Sequence, residues 1–552
     1  MNRSFLFFIA VAMVISFSWL GRTTLFDVDE AVFSQATKEM VASGDWITPT
    51  YNGENRYDKP ILFYWLMALS YKVFGIDEFG ARFPSAAAGV VLALSVFLFT
   101  RYFRDAKAAL YASLSTVLSI YFLAYSHAAV TDMVLTLFIT LSLFSFYLST
   151  AAQEASPNWR RVGLYGFYLF SSLAFLTKGL IGIVFPFGIA AAYMIATEGP
   201  RGLKRVFSLG GTVLFLAVSA PWYVMEYRAN GMEFIDQFFI KHHFQRYTGV
   251  ISGHRGPVYY YIPVLLVAMF PWAAFLPAGV RAALKDRDTD KLGVFALIWF
   301  SFILLFFSFS TTKLPNYTLP LMPAASLLIA SGMTAQGERL RRYSYVFMAA
   351  LSALMGALFL VSRGYLPKFG IEDINWTLAL SALMWALAAL GVYAALRKKA
   401  TYGIMSALTI AFLLVLSAKA VPIANRYLQG ALYDYSLYAK ENLPEGERIV
   451  TYRLNMPSIV FYSGHLYDYS LYAKENLPEG ERIVTYRLNM PSIVFYSGHR
   501  VVSPGNKAHL LRLLSGGGRA LAITRDRDVP AFDGLGFDLL ESRGGYALLE
   551  RK

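Results

Sequence analysis

The stretch ILFYWLMALSYKVFG, residues 61–75, decides how this chain is threaded. It is apolar enough for a membrane helix, but it has 15 residues and is interrupted by Tyr71 and Lys72, whereas a span needs about 20. It can therefore cross the bilayer or lie in the interface. Thirteen other stretches read as spans, near residues 4–20, 83–100, 108–126, 133–151, 163–178, 180–196, 206–225, 258–278, 293–309, 318–333, 345–362, 376–396 and 402–418. A fourteenth at 61–75 would invert the side on which every later loop lies.

Charge decides between the two threadings. If 61–75 stays in the interface, six basic loops fall on the same side as the N-terminus: Arg101, Arg104 and Lys107; Arg160 and Arg161; Arg201, Lys204 and Arg205; Arg281, Lys285, Arg287 and Lys291; Arg339, Arg341 and Arg342; Arg397, Lys398 and Lys399. That is the positive-inside pattern. If it spans, all six face outward. The expectation is thirteen transmembrane helices, a cytoplasmic N-terminus and a C-terminal domain on the outer face.

Composition agrees. Of 552 residues, 56% are hydrophobic and 16% charged, too apolar for a soluble surface, so lipid is the solvent. The expected fold class is mainly α, a polytopic helical membrane protein, with a transmembrane domain over 1–431 and a soluble α/β domain over 432–552, where charges and Gly return. The net charge of +14 punctuates membrane loops and forms no basic face with interleaved aromatics, so nucleic acid is not an expected partner. There is no cysteine, which excludes disulfides. Residues 4–20 resemble a signal peptide, but no small-residue cleavage site follows before Gly21, Arg22 and Thr23, so the segment reads as an anchor. Residues 432–465 recur unchanged as 466–499, 34 residues in each copy. Functional repeats diverge, and stacked arrays need about three units. The duplication reads as recent or as an assembly error, and no site residue is placed within it.

On this threading the reactive side chains gather on the outer face. Asp27, Asp29 and Glu30 put three carboxylates within four residues beside a span, costly unless solvated or functional. They cap the following helix, or one of them orients or deprotonates an acceptor or stabilises charge at a sugar carbon. Asp132, after Thr131, supplies a second carboxylate. Lys59, Lys178 and Lys313 each stand beside Pro or Gly or one residue from it at the outer end of an apolar helix, in DKP, TKG and TKLPNY. Singly they snorkel to headgroups. Together with Arg56 and Arg246 they suit a cradle for phosphates. His242 and His243 lie in the largest internal outer loop, about 226–257. Adjacent histidines diverge on a helix, so a divalent metal would need an irregular backbone and a third ligand such as Asp58; contact with a substrate phosphate or a capping role is the alternative. Pro221–Trp222, Pro271–Trp272 and Tyr259–Tyr261 read as interfacial belt residues.

Taken in order, DE at Asp29 and Glu30, ASGDW at 42–46, NG at 52–53, YDKP at 57–60, TD at 131–132, TKG at 177–179, HFQR at 243–246 and TKLPNYTLPLMPA at 312–324 resemble the bacterial aminoarabinose transferase family. That family sits within the polyprenyl-phosphate-dependent membrane glycosyltransferases of GT-C type, related to protein O-mannosyltransferases. The resemblance covers the whole membrane region. It implies an active site at the periplasmic face of the inner membrane and transfer of 4-amino-4-deoxy-L-arabinose from an undecaprenyl-phosphate-linked donor to lipid A phosphates. It places the acidic motif on Asp29 and Glu30, the Lys of the KP motif on Lys59 beside Tyr57, and the second carboxylate on Asp132. Arg56, Lys178, His243, Arg246, Lys313 and Tyr317 join as substrate-binding candidates. No cofactor is required by the resemblance; a divalent metal at His242 and His243 is the one cofactor considered. Asp58 stands where Glu is expected, and Ala31 to Phe33 replace the Arg and Tyr usual after the DE pair, departures that bear on donor specificity.

Two other readings use the same residues. A transporter places ionisable groups near the midplane on broken helices in two related halves, whereas here they cluster at one face and the spans show no internal symmetry. Transfer to protein hydroxyls would make Asp29 a true base.

Overall fold

Short polar links set where helices start. Asp77, Asp105, Ser119, Ser208 and Asp290 each accept a hydrogen bond from the backbone N–H three residues on, at 2.7–3.2 Å, satisfying donors that a helix N-terminus leaves unpaired. The computed structural model describes residues 3–151, 157–238, 256–335, 337–397, 401–442, 449–451, 457–463, 520–543 and 545–551. Among these, eight helices are long and apolar enough to cross a bilayer, or ten if each of two bent pairs is one span. The three remaining expected segments are helices too: Arg3–Phe17, Pro157–Lys178 and Met322–Ala335. The deciding stretch forms the Leu62–Phe74 helix of 13 residues. It rises about 20 Å, short of a hydrocarbon core of roughly 30 Å. The chain is a mainly α, multi-pass membrane protein with a small α/β part.

It divides into two compact units, one drawn from residues 1–20 and 57–421, the other from 21–56 and 422–552. Within the first unit, two helix pairs are sharply bent. Ala106–Val117 and Ile120–Ser126 meet at 58°, and Val258–Ala268 and Trp272–Lys285 at 114°. A break frees carbonyls that lipid cannot hydrate, and side chains meet them. Trp272 Nε1 donates to Leu118 O at 2.9 Å. In the 3-10 stretch Pro315–Leu321, Pro320 O accepts from Trp299 Nε1 at 3.0 Å and Pro315 O from the Tyr121 hydroxyl at 2.7 Å. Trp272 and Trp222 are 1% and 3% exposed, so their rings pack inside the protein and do not face lipid as belt residues would. Phe99 and Phe144 stack with centroids 3.7 Å apart between neighbouring spans. The Leu276–Lys285 and Met322–Ala335 helices approach at backbone contact; a Cβ on Gly279 would lie 1.9 Å from Leu328 O, and one on Gly332 2.6 Å from Phe275 O.

In the second unit, the Asp29–Ser43 helix packs on the short Pro457–Ser463 helix. Leu432, Tyr435 and Ala439 of the Val421–Asn442 helix form a core with Ile459, Val460 and Leu548. A four-stranded sheet runs in the order Ile449–Thr451, Ala520–Arg525, Tyr546–Arg551, Phe537–Arg543, parallel in its first pair and antiparallel elsewhere. The expected boundary at 431/432 falls inside the Val421–Asn442 helix. The first copy of the repeat supplies the end of that helix, the Ile449–Thr451 strand and the Pro457–Ser463 helix; the second copy lies outside the described residues.

Substituting Gly279→Ala drives a methyl group into backbone, which no rotamer change can relieve. The expected loss is about 1–3 kcal/mol, read as a thermal midpoint lowered by several degrees in detergent, and an unchanged midpoint would refute the close approach.

Candidate functional site

In the membrane unit the site is built where two packed helices meet end to start. The Pro157–Lys178 helix finishes on Lys178, and Gly179, at φ 71°, turns the chain away. The Asp132–Ala151 helix begins on Asp132. A cation at a helix C-terminus and an anion at an N-terminus each complement the helix dipole. The two groups also meet directly: Lys178 Nζ donates to Asp132 Oδ1 at 2.8 Å, and Asn316 Nδ2 donates to the same oxygen at 3.0 Å. The Asp132 side chain is 8% exposed. Both donors fall on Oδ1, and Oδ2 receives no hydrogen bond from any described residue, leaving that oxygen's lone pairs for a ligand.

Asn316 belongs to the loop that also carries Lys313 and Tyr317. Lys313 Nζ donates to Phe307 O at 2.9 Å, to Ser308 O at 2.7 Å and to Ser310 O, closing the end of the Lys291–Phe309 helix. An ammonium has three donors, and all three serve carbonyls here. Burial pulls its pKa below the ordinary lysine value. The Tyr317 ring lies 4.9 Å from that of Phe307, and Lys313 Nζ sits 5.9 Å from the Tyr261 ring centre. Lys59 is oriented locally, donating to Asp58 O at 3.0 Å with its Nζ 3.5 Å from Asp58 Oδ2. Tyr57 is buried, its ring 6.0 Å from Phe234.

The second unit holds Asp29, Glu30 and Arg56. Asp29 is exposed in the first turn of the Asp29–Ser43 helix, where negative charge is favoured. Glu30 is 4% exposed and its Oε2 accepts from Phe26 N at 2.9 Å, tying the approaching loop to the helix. Asp27 is the most anchored of the three acids: Ser458 N donates to Oδ1 at 2.9 Å and the Ser458 hydroxyl donates to Oδ2. Tyr462, one turn on, accepts from Leu25 N at 2.7 Å. Burial pushes Asp27 up to about 6, against the two Ser458 hydrogen bonds that lower it, with the Glu30 charge adding to the rise.

Asp132 and Lys178 are thus brought together, Lys313 and Tyr317 share the loop beside them, and Lys59 pairs with Asp58. His242, His243 and Arg246 lie outside the described residues. Among the described residues no group of three His, Cys, Asp or Glu side chains is placed to hold a metal ion. Sequence reasoning missed Asn316, although it stands inside the TKLPNY motif between two residues that were singled out.

Comparison with known proteins follows this geometry. Residues 58–224 match the family profile described as dolichyl-phosphate-mannose-protein mannosyltransferase. An uncharacterized protein of Aquifex aeolicus is 31% identical over 350 residues, 63% of this chain and 68% of that protein. The undecaprenyl phosphate-alpha-4-amino-4-deoxy-L-arabinose arabinosyl transferase 2 of Pseudomonas fluorescens is 30% identical over 354 residues, 63% of this chain and 59% of its own length. The fold is that of ArnT from Cupriavidus metallidurans, solved bound to undecaprenyl phosphate: TM-score 0.82 at 22% identity, covering 99% of this chain and 97% of that one.

Asp27 carries a pH dependence with a definite sign. Its folded pKa of about 6 lies above the reference 3.8, so its contribution to stability is full below about pH 3.8 and is lost as pH rises through 6, on the order of 3 kcal/mol. Melting midpoints measured between about pH 4 and 8 should show this slope in the wild type and a flatter one in Asp27→Asn; equal slopes would remove Asp27 as its source.

Proposed function

The chain belongs to the aminoarabinose transferase family of polyprenyl-phosphate-dependent membrane glycosyltransferases, and from that premise we propose that it moves 4-amino-4-deoxy-L-arabinose from undecaprenyl phosphate to lipid A phosphate groups. The observation that carries the proposal is Asp132, paired through one oxygen with Lys178 and Asn316 and open at the other. An oriented, desolvated carboxylate beside a fixed cation suits a reaction in which positive charge grows at a sugar carbon and negative charge on a departing phosphate.

In the proposed step an acceptor phosphate oxygen forms a bond to the anomeric carbon. The bond from that carbon to the lipid phosphate oxygen breaks, and its electron pair leaves with undecaprenyl phosphate. The leaving group is already good and the acceptor is ionised near neutral pH, so a strong base is not required. Asp29, exposed at its helix start, takes the role of orienting the acceptor or binding the donor's amino group. Lys178 donates one hydrogen bond to Asp132 and stabilises the departing phosphate by direct contact. The short Leu62–Phe74 helix supports the threading with thirteen spans, the N-terminus in the cytoplasm and the C-terminal domain in the periplasm, which puts the chemistry at the outer face of the inner membrane.

The mannosyltransferase profile over 58–224 favours a second reading, transfer to protein hydroxyls. A hydroxyl must lose its proton during attack, so Asp29 would act as a base, worth about 10²–10⁴ in rate.

The test is transfer in liposomes containing the donor and lipid A, with product mass read directly. Lipid A should gain one aminoarabinose, Asp132→Asn should lower kcat/KM about a hundredfold, and Asp29→Asn should cost about tenfold. A loss near a thousandfold for Asp29→Asn, with protein rather than lipid labelled, selects the second reading. Absence of transfer by folded wild type refutes the substrate assignment.

A further inference from the structure

Glu39 has no place in the chemistry above, yet its carboxylate accepts four hydrogen bonds. Oε1 accepts from Gln35 Nε2 at 2.8 Å and from Asn52 N at 2.7 Å. Oε2 accepts from the Thr50 hydroxyl at 2.9 Å and from Gly53 N at 3.1 Å. Three of these donors belong to one β-hairpin, in which Thr50 pairs with Asn55 and Tyr51 with Glu54. Its turn residues Asn52 and Gly53 have φ of 56° and 78°, the left-handed pair that a two-residue hairpin turn demands. In that conformation both turn amides point the same way, making an anion-binding concavity. Glu39 fills it from the side of the Asp29–Ser43 helix.

The hairpin leads straight into Arg56. Arg56 N donates to Pro49 O at 2.8 Å, continuing the ladder past the strands. Its guanidinium stands 5.3 Å from the ring centre of Phe33, nearly two turns before Glu39 on the same helix. The cation is therefore held against the helix at two points: its own stacking on Phe33, and the hairpin clamp six residues along. Gln35 in turn fixes the Glu39 rotamer from one turn earlier.

We infer that Glu39 is a positioning residue for Arg56, holding the hairpin so that the guanidinium is presented to the phosphate of a lipid-phosphate substrate. The inference rests on the proposed function, with Arg56 taken as one of the phosphate-cradle cations expected from the sequence. A guanidinium binds phosphate through two parallel N–H bonds whose geometry tolerates little displacement, so freeing the hairpin weakens that bond without touching the ligand.

The test uses the full chain in detergent with undecaprenyl phosphate alone as the probe, so that it does not depend on sugar transfer. Hydrogen exchange over residues 48–56 and the affinity for undecaprenyl phosphate are measured for wild type, Glu39→Ala, Glu39→Gln, Arg56→Ala and the double variant Glu39→Ala with Arg56→Ala. Glu39→Ala should speed exchange across the hairpin and weaken binding about tenfold. Glu39→Gln, which keeps one acceptor but turns a donor toward the hairpin, should fall between. The double variant should bind no worse than Arg56→Ala, because the two act through one contact. Unchanged exchange in Glu39→Ala overturns the clamp. Additive losses in the double variant, or wild-type affinity in Arg56→Ala, overturn the positioning role while leaving the transfer reaction to be judged by its own assay.

Discussion

A backbone carbonyl with no partner in hydrocarbon costs several kcal/mol, and this protein bends two pairs of its apolar helices sharply. Several irregular points of the membrane unit are closed by long side chains. Trp272 closes Leu118 O, Trp299 closes Pro320 O, Tyr121 closes Pro315 O, and Arg82 Nη1, 1% exposed, reaches Leu20 O at 3.0 Å. The irregular backbone is what allows the loop with Lys313, Asn316 and Tyr317 to stand beside Asp132. Without the indole and phenol donors that loop would revert to helix or be excluded from the apolar interior.

The same constraint explains what could be read from the sequence. Apolar length is written locally, so all thirteen expected segments are helical, and the short segment at 61–75 yields a helix of 13 residues. Helix starts are local as well, since Asp77 or Asp290 needs only the amide three residues on. Asp132 and Lys178 stood out because each is a charge at the end of an apolar run. Their pairing across 46 positions, and the contact between Asn316 and Asp132 across 184, depend on how helices pack, and periodicity gives a face but not a neighbour.

Polar side chains in and just before the Asp29–Ser43 helix were the least legible. Asp27 looked like one of three similar acids, and nothing nearby in sequence marks it as the partner of Ser458, 431 positions away. Glu39 carried no mark in the sequence reading, because its four donors come from the side chain one turn earlier and from a hairpin 11 to 14 residues on. Aromatic residues misled for a related reason: Trp beside Pro suits a membrane interface and suits equally the repair of a broken helix, and only burial separates the two.

The seating of Lys313 changes how the site meets an anion. A helix C-terminus carries about half a negative charge, so an ammonium closing one presents only about half a unit to a distant phosphate. Lys178 faces Asp132 and Lys59 faces Asp58, so none of the three lysines projects an uncompensated field. These three lysines therefore add little to long-range steering, which raises encounter rates where charge of one sign accumulates, and ionic strength has little of their field to screen. A lipid phosphate confined to the bilayer surface needs no such guidance, because diffusion in two dimensions delivers it. Discrimination then rests on contact, where the fixed geometry of each pair decides which headgroup can break into it.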